Sequence, residues 1–248
     1  MSLKSPSILV VDDEPDICAN LRDILSEFGY RVDTATSGAE ALKLLAHNRY
    51  DVALLDLKMP EMNGVDLYRE IKRRSSSTVG LIISAYASTS SAAEALELGA
   101  WRILSKPVDA GLVMSCIDEA VSQPLVMVVD DDQELCASLW DALHSQGIRV
   151  ELAHELAHAS RILIDPDFQA AIVDLKFPQG DGLQFCGEMR EKYPQLKTIL
   201  ITGYPHDLEE RREDRLVDAT CFKPFDMVEL IDMLRRLTGK MQLSGEGR

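Results

Sequence analysis

The chain has 248 residues, enough for one large domain or two ordinary ones, and carries 41 Asp and Glu against 26 Lys and Arg, a formal charge of −15. Its 46% hydrophobic and 27% charged content excludes wholesale disorder and collagen-like repetition. No apolar run reaches bilayer-spanning length, residues 1–6 are no signal peptide, and the acidity disfavours direct binding of a phosphate backbone. The expectation is a cytoplasmic protein without membrane or direct nucleic acid contact, handling cations or partners with basic surface.

In chain order, residues 8–11 open a series of short branched apolar runs, too short for helices and apolar on both faces, as buried parallel strands are. Asp12 and Asp13 follow at once. Ile17, Leu21, Ile24, Leu25 and Phe28 then recur at helix spacing and stop at Gly29. Ser37 is placed to cap a second helix through Ala41, Leu42, Leu44 and Leu45. The run 52–55 leads into Asp56-Leu57-Lys58-Met59-Pro60, with Gly64 beyond. The run 81–83 leads into Ser84-Ala85-Tyr86, and the run 103–104 precedes Lys106-Pro107.

The series then starts again. ILVVDDEPDICANL from residue 8 returns as VMVVDDDQELCASL from residue 126, an offset of 118 (126 − 8). Asp56-Leu57-Lys58-Met59-Pro60 returns as Asp174-Leu175-Lys176-Phe177-Pro178, Gly64 as Gly182, and Ser84-Ala85-Tyr86 as Thr202-Gly203-Tyr204. Lys106-Pro107 returns as Lys223-Pro224, one residue early. Two copies of one domain follow, over residues 5–122 and 124–240, joined near Ser122-Gln123-Pro124. Repeated strand–helix alternation predicts an α/β fold, two doubly wound five-stranded parallel sheets in tandem, each in the flavodoxin-like order 2-1-3-4-5.

The repeated polar residues stand at the carboxyl ends of the strands, the edge where open α/β sheets bind ligands. Asp12, Asp13 and Asp56 would meet in one crevice, as would Asp130, Asp131 and Asp174. Clustered carboxylates repel unless a hard divalent cation, Mg²⁺ or Mn²⁺, compensates them. An aspartate there can attack phosphorus and form an acyl phosphate, while Lys106 with Ser84, or Lys223 with Thr202, holds the other phosphoryl oxygens. No Gly-rich phosphate loop is present, so the donor is a small acyl phosphate or a phosphorylated protein rather than ATP.

Blander roles fit other residues. Taken singly, Asp12, Asp16 and Asp132 read as helix caps or turn residues. The five cysteines, with no C-x-x-C spacing, read as small buried hydrophobes in a reducing compartment. His154 and His158 read as a surface pair on one helical face, Trp101, Trp140 and Phe185 as packing, and the charged run 209–215 as a solvated face.

Both halves resemble the receiver domains of two-component response regulators over essentially the whole chain. The resemblance rests on the acidic pair, the D-x-x-x-P loop with its following Gly, the hydroxyl residue and the Lys-Pro step. It implies that Asp56 and Asp174 accept phosphoryl groups from a histidine kinase or phosphotransfer protein. It implies Mg²⁺ held by Asp13 and Asp56 with the Lys58 backbone carbonyl, Asp12 assisting through water. Asp131, Asp174, the Lys176 carbonyl and Asp130 take these roles in the second half. Ser84 with Lys106, and Thr202 with Lys223, would sense the phosphoryl group, and the Lys-Pro peptides are often cis. Family members often carry an aromatic residue three positions before the lysine, where Ile103 and Thr220 stand here. Any switch therefore acts through other packing, and the charged region 206–215 gives the second half a differently shaped signalling face.

A Mg²⁺-dependent hydrolase of the haloacid dehalogenase type also uses an Asp nucleophile, a hydroxyl residue and Lys. It needs an acid two residues after the nucleophile, where Lys58 and Lys176 stand. Too few residues follow Leu237 for a helix-turn-helix, cyclase or kinase, so output is expected through a downstream protein effector. A homodimer through one receiver face, or a receiver fragment of a larger hybrid kinase or effector protein, is the further expectation.

Overall fold

A computed structural model describes residues 5–85, 90–163, 167–203 and 216–239. The chain divides into two compact units, Met1–Gln123 and Pro124–Arg248. In the first, β1 (Ser7–Val11), β2 (Arg31–Ala35), β3 (Val52–Asp56), β4 (Val79–Ser84) and β5 (Arg102–Ser105) form one parallel sheet in the order β2-β1-β3-β4-β5. The helices are α1 (Pro15–Glu27), α2 (Gly38–Leu45), α3 (Gly64–Arg74), α4 (Ser90–Glu97) and α5 (Ala110–Ser122).

The central strands are apolar throughout because both sheet faces are covered. Ile8, Val10, Leu54, Leu81 and Ile83 share a core with Cys18, Leu21 and Leu25 of α1 and with Val113, Cys116 and Ile117 of α5. Alternate residues Leu9, Val11, Leu55 and Ile82 pack with Ala41 of α2, Leu67, Tyr68 and Ile71 of α3, and Ala92 and Ala95 of α4. Strand β2 lies at the edge and buries only Ala35, which is why no apolar run announces it. Ser37 caps α2, its Oγ accepting the Glu40 N–H at 3.2 Å. Gly29, at φ +90°, ends α1.

The second unit has β6 (Leu125–Val129), β7 (Arg149–Ala153) and β8 (Phe168–Asp174), then the short β9 (Lys176–Phe177) and β10 (Gly180–Asp181), then β11 (Lys197–Thr202) and β12 (Ala219–Phe222). Five of them form a parallel sheet in the order β7-β6-β8-β11-β12. Its helices include α6 (Gln133–His144), α7 (Leu156–Ile162), α8 (Gly182–Lys192) and α9 (Met227–Thr238). Strands β9 and β10 pair antiparallel as a small hairpin directly after β8, a feature with no counterpart among the described elements of the first unit. Edge strand β7 buries Arg149 and Glu151, whereas Arg31 and Asp33 in the matching positions of β2 are exposed.

His154 departs from its expected place. Helix α7 starts only at Leu156, after an extended Glu155, so His154 lies in the turn behind β7 and shares no helical face with His158. Asp132 caps α6 as expected, accepting from Glu134 and Leu135, whereas Asp16 lies inside the first turn of α1. All five cysteines are buried and free. Phe185 is core, Trp101 packs against the core, and Trp140 stacks on His144 with ring centroids 4.4 Å apart. Tyr86, Tyr204 and the charged run 206–215 lie outside the described residues. Among those described, no helix is long and apolar enough to cross a membrane.

Candidate functional site

Pairing of β1 with β3 ends at Val11 opposite Leu55, so the next residues, Asp12 and Asp56, emerge side by side. Both are buried, at 2% and 4% exposure. Lys106 comes from the end of β5, where its N–H donates to the Ser84 carbonyl at 2.9 Å ahead of a cis peptide to Pro107. Its ammonium lies 2.8 Å from Asp12 Oδ2 and 2.7 Å from Asp56 Oδ1, with Glu14 Oε1 at 3.8 Å. The second oxygen of each acid is also occupied: Asp56 Oδ2 accepts the Lys58 N–H at 2.6 Å, and Asp12 Oδ1 accepts the Glu14 N–H at 3.0 Å.

The second half repeats this arrangement. Lys223 lies 3.0 Å from Asp130 Oδ2 and 2.6 Å from Asp174 Oδ1, and its own N–H donates to the Thr202 carbonyl at 2.7 Å. Asp174 Oδ2 accepts the Lys176 N–H at 2.7 Å, and Asp130 Oδ1 the Asp132 N–H at 2.9 Å. The Lys223–Pro224 peptide is cis as well.

The glycine after each loop has a steric reason. A Cβ on Gly64 would stand 2.2 Å from the Asp56 carbonyl oxygen, and one on Gly182 would stand 1.8 Å from that of Asp174. Only a residue without a side chain lets α3 and α8 start so close behind the acid.

Of the expected site residues, the structure brings Asp12, Asp56 and Lys106 together, and likewise Asp130, Asp174 and Lys223. Ser84 and Thr202 are buried at the ends of the adjacent strands. Asp13 and Asp131, next in the chain to the buried Asp12 and Asp130, are exposed at the rim. Lys58 and Lys176 are exposed and meet the acids through their backbone N–H groups. Among the described residues, no three acid, His or Cys side chains are arranged to hold a metal ion as they stand, and each ammonium lies between two buried acids.

Burial pushes the Asp56 carboxyl up, opposed by the Lys106 ammonium and the Lys58 N–H, while Asp12 adds to the rise. Burial likewise raises Asp130, against the Asp132 N–H and Lys223. Burial alone would lower Lys106 and Lys223, but their hydrogen bonds to the paired acids prevail and hold both ammonium groups charged. Two buried carboxylates and the exposed one beside them, set against one ammonium, leave each site with net negative charge, to which Glu14 adds in the first. That all-oxygen donor set and its charge fit a hard divalent cation.

Four neighbours escaped the sequence reading. Glu14 adds a third carboxylate near Lys106. Cys18 and Cys136 donate through sulfur to the backbone carbonyls of Asp12 and Asp130, each at 3.3 Å. Their signal was the repeat itself, since the two cysteines stand at the same offset as the acids. His154 touches the Asp130 carbonyl through Nδ1 at 3.1 Å, which nothing in the sequence announced.

A family model described as the response regulator receiver domain matches residues 8–118 and again 126–235. A response regulator receiver protein from Anaeromyxobacter sp. (strain Fw109-5) is 31% identical over 92% of this chain and 94% of its own length. The transcriptional regulatory proteins ZraR of Klebsiella oxytoca and GlrR of Escherichia coli K12 are 38% and 37% identical over about half of this chain. The match spans only 28% of the length of either. Among solved structures, a response regulator receiver domain protein from Clostridium thermocellum is 35% identical at TM-score 0.44, over 46% of this chain and 91% of that one. Thermotoga maritima TrrA, solved in complex with Mg(2+)-BeF, is 32% identical at TM-score 0.42, over 46% of this chain and 97% of that one.

Proposed function

Because the chain belongs to the response regulator receiver family in both of its halves, a tandem-receiver regulator of two-component signalling, we propose that Asp56 and Asp174 are its phosphoacceptors. One observation carries this reading. In each half a single buried aspartate at the end of the third strand has a lysine ammonium on one oxygen and a backbone N–H on the other. Those donors orient a carboxylate whose burial makes it poorly solvated as an anion and so ready to react.

The carboxylate oxygen forms a bond to phosphorus as the bond from phosphorus to the donor's leaving group breaks. Acetate leaves from acetyl phosphate, and imidazole from a phosphohistidine, each taking the bonding pair. Lys106 and Lys223, already within reach of the acids, pass to the phosphoryl oxygens, and the Ser84 and Thr202 hydroxyls donate from the neighbouring strand ends. Mg²⁺ or Mn²⁺, held by Asp12, Asp13, Asp56 and the Lys58 carbonyl, or by Asp130, Asp131, Asp174 and the Lys176 carbonyl, would neutralise charge on those oxygens.

The donor is a histidine kinase or phosphotransfer protein, with small acyl phosphates as substitutes, and output passes to a downstream protein effector. Receivers over 5–122 and 124–240, a cytoplasmic setting and pairing of two chains through a receiver face complete the reading. The test is acetyl phosphate with Mg²⁺, followed by intact mass. The native chain gains two phosphates, and Asp56→Ala and Asp174→Ala gain one each. An Asp56→Ala or Asp174→Ala chain that still takes two would strike that residue from the acceptors, and turnover of a phosphate ester at many equivalents would replace the signalling reading by a hydrolase.

A further inference from the structure

The peptide that joins the two acids of the second half is held by two donors on one oxygen. Cys136, in the first turns of α6, donates through Sγ to the Asp130 carbonyl at 3.3 Å. His154, in the turn between β7 and α7, has Nδ1 3.1 Å from the same oxygen. A carbonyl oxygen only accepts, so Nδ1 carries the proton, and the two donors take up both lone pairs.

The first half repeats the cysteine but not the histidine. Cys18 donates to the Asp12 carbonyl at 3.3 Å and reaches the Ala35 carbonyl at 3.5 Å. Thr36 stands where His154 does, and turns away: its N–H and hydroxyl both donate to Glu40 Oε2, at 2.8 and 3.1 Å. The imidazole clamp therefore belongs to the second half alone.

This clamp bears on Asp131. The Asp130 carboxylate is fixed from the other side by Lys223 and the Asp132 N–H. Asp131 sits one residue further along, exposed at the rim, and the Asp130–Asp131 peptide sets the direction in which it leaves the chain. A tilt of that peptide swings the rim carboxylate away while leaving the buried acid in place.

We propose that His154, together with Cys136, is a positioning residue that orients the Asp130–Asp131 peptide and so aims the Asp131 carboxylate at a divalent cation in the second half. This rests on the divalent-cation site of the proposed function above. The first half, with its thiol alone, serves as a control within the same molecule.

The test compares His154→Phe, which keeps a ring without the donor, with His154→Asn, which keeps a side-chain N–H. Two measurements are made on the full chain. Mg²⁺ binding is followed by calorimetry without phosphodonor, in a background whose first site is silenced by Asp13→Asn and Asp56→Asn. Phosphorylation from acetyl phosphate is followed site by site, each aspartyl phosphate trapped by borohydride reduction. The expectation for His154→Phe is Mg²⁺ binding weaker by about fivefold, the equivalent of one ordinary hydrogen bond, slower labelling of Asp174 and unchanged labelling of Asp56. His154→Asn restores both.

The inference is overturned if His154→Phe binds Mg²⁺ like its parent, or if His154→Asn is as impaired as His154→Phe. Should His154→Phe unfold, Cys136→Ala against Cys136→Ser asks the same question from the other donor, with Ser as the rescue. If native Asp174 takes no phosphate while Mg²⁺ binding follows the pattern above, the phosphoacceptor reading fails and the positioning role stands.

Discussion

Lys106 touches both buried acids of the first site, and its removal would leave Asp12 and Asp56 side by side with no cation between them. Breaking a buried ion pair from one side is costly, because the remaining charge cannot be rehydrated. Lys106→Met is therefore expected to lower the stability of the first unit by about 3 kcal/mol at neutral pH, with much of the loss recovered in millimolar Mg²⁺. Urea unfolding with and without Mg²⁺ measures both effects. A midpoint equal to that of the native chain would show that the acids manage without the ammonium. Most members of this cluster were legible, since each follows an apolar run and each returns in the second half. The bond from His154 to the Asp130 carbonyl was not, because a turn between strand and helix carries no periodicity, and spacing alone put this histidine on α7.

Among the elements, the starts of α3 and α8 depend on a glycine pressed against backbone rather than against a yielding side chain. At Gly64 the obstacle is the Asp56 carbonyl, which belongs to the strand that bears the acid. Gly64→Ala must push helix and strand apart, at about 1–3 kcal/mol, and Gly182→Ala, with the closer approach, is expected to cost more. Comparison of urea midpoints decides this, and an unshifted Gly64→Ala would refute the close packing of loop on strand. The central strands were readable because two-sided burial demands unbroken apolar runs. Edge strands were not: β2 and β7 share the sequence pattern RV-acid, yet one is exposed and the other buries Arg149 and Glu151. The hairpin of β9 and β10 has two-residue strands, too short for any alternation to register.

Across the whole molecule, groups that stay neutral inside the fold set its response to alkali. Burial raises Cys136 and Cys186 from an ordinary value of 9.0 to about 12, with nearby Asp130 and Asp181 adding to the effect. Burial also leads the upward shifts of Tyr30 and Tyr50, reinforced by Asp118 and Asp33. Below about pH 9 these thiols are protonated in both the folded and the unfolded chain, and the stability they permit is fully present. Between about pH 9 and 12 the unfolded chain releases protons that the folded chain retains, so stability falls as pH rises. The urea midpoint is expected to decline steadily above pH 9, and one that is flat or rising to pH 11 would contradict the buried, neutral state of these groups.

The sequence by itself determined that there are two α/β halves of the receiver family, which acids and lysines recur at the strand ends of each, and where a glycine must stand. It could do so because apolar runs report two-sided burial, and because a repeat separates residues that recur together from residues that merely occur. The tertiary structure decided what touches what. It placed each lysine between two acids, left Asp13 and Asp131 at the rim, and brought His154 from a distant turn onto the Asp130 carbonyl. Such contacts join residues far apart in the chain, through directional bonds of a few ångströms that leave no pattern along it.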